Sequence, residues 1–266
     1  MSVLAEYSRS RDLFTNLTLR ELRSRYKRSF LGWTWSLINP LTYMVIYTVV
    51  FGYVLKVRVL HGHPSGLSAF ALFLLAGLLP WNFFTSAVNG SVGSLVAASN
   101  LIKKSYFPRA LLPAATVASA LVSHLIEMGL LLVAVLAFGN YRALYLLPFV
   151  VLLIALVTIF ATGLGLALSA ANVYFRDVEH FLGIAFMVWF YLTPIVYPVT
   201  YLHGSTLTLI KLNPMADAAL CMQRVLYDGA APSWLELGAL ALAALVAAAV
   251  GLAVFRRVEP RLAEEL

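Results

Sequence analysis

A single cysteine, Cys221, stands among 266 residues, so neither an internal disulfide nor a thiolate metal cluster can form within the chain. Charge is scarce: Asp, Glu, Lys and Arg make up 12% of the residues, where a soluble domain carries roughly a quarter. No G-x-x-x-x-G-K-[ST] loop is present to cradle nucleotide phosphates, and no H-E-x-x-H pair or Cys/His cluster offers a metal site. A cleavable signal peptide is missing too. The first apolar span starts only after about 32 mostly polar residues, with no small-residue cleavage site behind it. Cofactors are therefore not expected in this chain, and any transport driven by ATP needs its motor on another polypeptide.

What is abundant is apolar sequence, 61% of the chain, gathered in long blocks that suit lipid as a solvent. The blocks predict an all-α integral membrane domain, 1–266, with six transmembrane helices near 33–55, 67–88, 111–138, 144–171, 181–198 and 235–255. Helices follow because a lone span must satisfy its own backbone hydrogen bonds. The formal charge of +7 does not point to nucleic acid, because the cations crowd at span ends. With the N-terminus inside, fourteen of the 19 Lys and Arg residues fall on inner segments, which predicts a cytoplasmic-membrane protein with both termini cytoplasmic.

Two stretches read as neither spans nor simple loops. In the arm 12–32, Thr18 and Glu21 have capping-box spacing. Leu19, Leu22, Tyr26 and Phe30 then share one helical face, with Arg20, Arg23, Lys27 and Arg28 opposite. Such a helix lies on membrane lipids by its basic side, or is a solvated helix touching protein alone. On the outer side, Asn213 and Pro214 supply an N-cap and first helical residue. Met215, Ala218, Ala219, Met222 and Leu226 follow on one face, and Asp217, Arg224 and Asp228 on the other. This amphipathic helix covers an exit or serves as an interfacial brace.

Within the spans, His124 and Glu127 lie three residues apart on one face. Ionisable groups in lipid are costly, about 3 kcal/mol on insertion scales. The pair lines a hydrated path, handles protons, locks helices by hydrogen bonding or, least in keeping with the lack of a second intramembrane carboxylate, acts as a catalytic acid. Tyr43, Tyr47 and Phe51 form a stripe on the first span, and the fifth carries Phe186, Trp189, Phe190, Tyr191 and Tyr197. Aromatic faces could slide along sugar C–H surfaces or simply pack, and Trp33, Trp35 and Trp81 suit interfacial belts. The inner segment 95–110 combines Lys103 and Lys104 with exposed Tyr106 and Phe107, a composition that fits docking to another protein or a membrane anchor. Ala239, Ala243, Ala247 and Gly251 make a small-residue ridge that permits close helix approach.

Four strings, RELRSRYKRSFLGWTWSLINPL (20–41), NVYFRDVEHF (172–181), TPIVYP (193–198) and NPMADAALCMQRVLYDG (213–229), together resemble the transmembrane subunits of ABC exporters for O-antigen, teichoic acid and related surface glycans. The resemblance runs from about residue 12 to 256. It implies a homodimer bound to two copies of an ABC ATPase, which holds the ATP and Mg, and a lipid-linked polysaccharide as cargo. It further implies that 95–109, with Lys103, Lys104, Tyr106, Phe107 and Arg109, docks on the ATPase. The arm becomes the interfacial helix, 199–229 with Asn213, Pro214, Asp217 and Arg224 becomes outer gate helices, and Tyr43, Tyr47, Phe51, Glu127, Phe186, Trp189, Phe190 and Tyr197 line the channel. The alternatives are an ABC permease for a drug or small lipid, and a membrane-embedded enzyme acting on lipid-linked substrates through His124 and Glu127.

Overall fold

The computed structural model describes residues 3–26, 34–54, 61–104, 107–197, 199, 210 and 212–265. Lys27, Arg28 and Tyr106, expected in the arm and docking segment, lie outside these residues, as do Phe30, Trp33 and the side chains of Tyr26, Tyr47 and Phe51. Among the described residues all regular secondary structure is helical, with no strand. In order come α1 (Val3–Tyr26), α2 (Trp35–Tyr47) continuing as π turns over Thr48–Val54, α3 (Phe70–Ala97), α4 (Ser99–Lys104), α5 (Leu111–Ala137), α6 (Arg142–Tyr145), α7 (Leu147–Tyr174) and α8 (Val178–Tyr191). They are followed by α9 (Pro214–Gln223) continuing as π turns over Arg224–Asp228, α10 (Trp234–Val258), a tight turn at Glu259–Arg261, and α11 (Leu262–Glu265).

Among the described residues four helices are long and apolar enough to cross a membrane: α3, α5, α7 and α10 with its following turn. Of these α3 is the most enclosed, with α5, α7, α8 and α9 packed around it. The peripheral α10 leaves Leu242, Leu245, Val246 and Val250 exposed, an apolar surface suited to lipid tails. The helix α3 outruns its expected end at 88 because its polar tail is satisfied inside the bundle. Ser91 Oγ donates to the Ala87 carbonyl at 2.7 Å, Ser94 Oγ to that of Ser91 at 2.6 Å, and Asn172 Nδ2 of α7 to that of Val92 at 3.1 Å. The fifth expected span, 181–198, ends as a helix at Tyr191, where Pro194 approaches with no N–H to continue the ladder.

The arm differs from its expected form. Helix α1 begins at Val3, so Thr18 and Glu21 are interior residues and cap nothing. The Thr18 hydroxyl donates back to the Phe14 carbonyl at 2.8 Å, and Glu21 pairs with Arg20 at 2.9 Å. Local pattern could not distinguish the two outcomes, since both satisfy the Thr hydroxyl. The buried face is rotated as well. Leu17 and Leu22 are buried while Leu19 is exposed, because Leu13, Phe14 and Leu17 seat α1 beside the start of α5.

The small-residue ridge is a real seam. A Cβ on Gly251 would overlap the Gly163 carbonyl oxygen and lie 2.7 Å from its carbon, so α7 and α10 meet backbone to backbone. Ala247 sits against Gly163 at the same crossing.

Candidate functional site

An α-helix places residues three and four apart on one face, so Asn82, Ser86 and Asn89 form a polar row along the otherwise apolar α3. Across from it α5 presents Ser123, His124 and Glu127, and α2 presents Trp35, Pro40 and Tyr43. Between the three helices lies a cleft of about 350 Å³ lined by these residues together with Leu79, Phe83, Thr85 and Ala120. His124 is buried, its ring stacked on Phe83 at 4.8 Å and 15°. Its Nδ1 has no hydrogen-bond partner among the described residues, a buried polar atom left unsatisfied beside the cleft. Tyr43 and Glu127, two of the expected channel residues, thus share one wall-to-wall space with His124. The sequence reading did not single out Asn82, Ser86 and Asn89, although their 4- and 3-residue spacing within an apolar span was the available signal.

The fifth-span aromatics go elsewhere. Phe186, Trp189 and Phe190 gather around Trp81 and Phe84. The Trp189 centroid is 6.1 Å from Trp81 and 5.3 Å from Phe84, and Phe84 stacks on Phe160 at 5.4 Å. Trp81 is 5% exposed, so it is a core residue and not a member of an interfacial belt. Tyr197 is half-buried, its hydroxyl donating to the Tyr191 carbonyl at 3.0 Å.

Asn213 caps α9 as its sequence context predicts, accepting from the Met215 N–H at 3.0 Å. It also does what local pattern did not reveal. Its Oδ1 accepts from Trp189 Nε1 at 2.7 Å and its Nδ2 donates to Thr193 Oγ1 at 3.0 Å, so one amide ties the end of α8 to the start of α9. Pro214 is the first residue of the helix. The polar face expected on α9 is not solvated at Asp217, which is 4% exposed, because α9 packs against α3, α7 and α10. Arg224, two turns on, does remain exposed.

Burial, and next the Glu236 carboxylate, push the Asp217 carboxyl up to about 7. Its neutral form is favoured in the fold, so its contribution to stability is complete below the unfolded value near 4 and is lost as pH rises through about 7. Asp217→Asn is therefore expected to raise the melting temperature of the detergent-solubilised protein at pH 8 and to change it little at pH 4. Each kcal/mol moves the midpoint of a chain this size by about 2–4 °C. Equal shifts at both pH values would show that Asp217 is not buried with its charge suppressed.

At the bundle end holding the first and last helices, Lys103 and Lys104 project from the last turn of α4 and are exposed, while Ile102 is buried beneath them. Phe107 is half-buried on the cluster formed by Leu95, Ala98, Ile102 and Leu112, where an outward ring was expected. Arg109 is half-buried and bonded to Glu259. On α1, Arg20 and Arg23 are exposed.

Comparison with known proteins gives a match to the ABC-2 type transporter family over residues 12–226. The chain is 29% identical over 266 residues, 99% of both proteins, to the O-antigen export system permease protein RfbA of Myxococcus xanthus. It is 30% identical over 255 residues, 96% of this chain and 95% of the relative, to the protein of the same name in Klebsiella pneumoniae. To the polysialic acid transport protein KpsM of Escherichia coli it is 28% identical over 244 residues, 90% of this chain and 91% of the relative.

Proposed function

This chain belongs to the ABC-2 type transporter family, and on that premise we propose that it is the transmembrane permease subunit of an ATP-driven exporter whose cargo is a lipid-linked polysaccharide. It is a multi-pass membrane protein with a transport role, not an enzyme. Relatives named for export of O-antigen and for transport of polysialic acid, each aligned over nine-tenths or more of the chain, support the cargo class. In this reading two copies of the chain assemble with two ATPase subunits, and α2 with its π extension and α8 complete six spans. The end carrying α1, α4 and α11 faces the cytoplasm, with α4 against the ATPase and the segment 199–229 at the outer gate.

The observation that carries the reading within the molecule is the cleft between α2, α3 and α5. A sugar presents hydroxyls around its rim and C–H groups on its faces. Asn82, Ser86, Asn89 and Ser123 bring polar groups, and Trp35 and Tyr43 offer aromatic faces, at one place in an apolar bundle. Binding and hydrolysis of ATP in the partner would bias the bundle between two arrangements.

Depletion of the chain is expected to leave undecorated lipid-linked glycan accumulating on the inner membrane face, measured by extracting and labelling glycolipids from each face. The purified chain is expected to bring down an ATPase while hydrolysing no nucleotide itself. Unchanged glycan distribution on depletion would return the cargo to a drug or small lipid. Turnover of a lipid-linked substrate by the chain alone, abolished by substituting Glu127, would favour the enzyme.

A further inference from the structure

We propose that the C-terminal turn, and Glu259 in particular, is the positioning element of the docking helix α4, a brace that makes α4, α5 and α10 move as one piece. The proposal rests on the reading of α4 as the ATPase-facing helix.

Helix α4 has six residues, far fewer than the 12–15 or so an isolated helix needs for even marginal stability, so its position is decided by what surrounds it. Of its side chains Ile102 is buried, and Pro108 interrupts the chain before α5. The restraint arrives from the far end of the sequence. The Arg109 N–H donates to Glu259 Oε1 at 3.0 Å, across a separation of 150 residues, and the Arg109 guanidinium donates back to the Glu259 main-chain carbonyl. The two residues therefore clasp each other by backbone and side chain together.

Glu259 also occupies a position that α5 leaves vacant. Among the described residues the N-cap Ala110 makes no side-chain cap for α5, and its first turn contains no acidic residue, although helix N-termini favour an acceptor and a negative charge. The Glu259 carboxylate supplies both just ahead of that terminus. Three residues on, Leu262 is wholly buried in the cluster that holds Leu95 and Ala98 beside α4, Ile102 within it, Leu112 of α5 and Phe255 of α10. The clasp thus fixes the start of α5 to the end of α10, and α4 joins the same unit through Ile102, so moving α4 either withdraws Ile102 from the cluster around Leu262 or carries α5 and α10 along. Since α5 bears Ser123, His124 and Glu127 of the cleft, the brace links the docking surface to the polar wall.

The test uses the full complex of this chain with its co-purified ATPase in native-lipid vesicles, measuring lipid-linked glycan exported per ATP hydrolysed. Glu259→Ala is expected to lower that ratio about tenfold with ATPase binding retained. Glu259→Gln keeps the Oε1 acceptor and is expected to stay within about twofold of wild type. Leu262→Ala removes the apolar half of the brace without touching the clasp and is expected to lower the ratio as well, which keeps the test decisive should Glu259→Ala fail to accumulate. A wild-type ratio in Glu259→Ala or in Leu262→Ala overturns the brace, as does Gln behaving like Ala. If the unaltered chain brings down no ATPase, the functional reading fails. If it does and the variants keep their ratio, the brace alone fails.

Discussion

Substituting leucine for Gly251 is expected to leave almost no folded protein in the membrane. The added Cβ alone would overlap the Gly163 carbonyl oxygen and sit 2.9 Å from the Gly163 Cα. These are backbone atoms of a helix, and they cannot rotate aside as a side-chain tip would. The reciprocal position is equally closed, for a Cβ on Gly163 would lie 2.5 Å from the Ala248 nitrogen. The helices α7 and α10 would have to part along their length, and α10 packs on α7 more extensively than on any other element. Overpacking of a side-chain core costs about 1–3 kcal/mol. A backbone-to-backbone seam should reach the top of that range even for Gly251→Ala, a large share of a total stability of about 5–15 kcal/mol. Size-exclusion profiles of heated, detergent-extracted protein would report the loss. Gly238, on the same helix but with open space for 4 Å around an added Cβ, provides the contrast. Alanine there should be neutral or stabilising by about 0.5–1 kcal/mol. Wild-type stability in Gly251→Ala would mean that the seam is looser than described.

Reversing charge at Lys103 and Lys104 together is expected to abolish coupling between ATP hydrolysis and export while leaving the bundle intact. Both ammonium groups are exposed at the C-terminal turn of α4, where the helix dipole favours cations, and neither contributes to the buried cluster that Ile102 joins. Glutamate at both sites replaces two positive charges with two negative ones. Against a partner surface complementary to lysine, like-charge juxtaposition costs several kcal/mol, enough to reduce export by more than about tenfold. The measurement pairs ATP hydrolysis by the complex with glycan export, and reversal of Arg256 and Arg257, exposed on α10, serves as the control of equal charge change. Normal export in the lysine variant would remove α4 from the docking surface.

Particular elements explain why some of this was readable in advance. The spans expected at 111–138, 144–171 and 235–255 agree with helices Leu111–Ala137, Leu147–Tyr174 and Trp234–Val258 to within three residues. Hydropathy is a sum over a window, and no distant contact can reverse it. Asn213 and Pro214 were legible for the same reason: a cap is settled by its own next few residues. Thr18 and Glu21 misled because their hydroxyl and carboxylate find partners equally well inside a helix. Phe186, Trp189 and Phe190 could be placed on a span but not on a face. Their contact with Trp81 and Phe84 depends on how α8 is rotated against α3.

Composition and pattern by themselves determined that this protein is helical, apolar in long blocks and without a nucleotide-loop or metal motif, and four contiguous strings carried its resemblance to glycan-exporting permeases. Those properties are written in contiguous residues. Packing decided the rest: the meeting of Asn82 and Ser86 with His124 and Glu127 in one cleft, the Gly163 and Gly251 crossing, and the reach of Glu259 to Arg109. Each of these joins residues from separate helices, where the rotation and depth of one helix against another set the distance, and neither quantity is carried by any local stretch of chain.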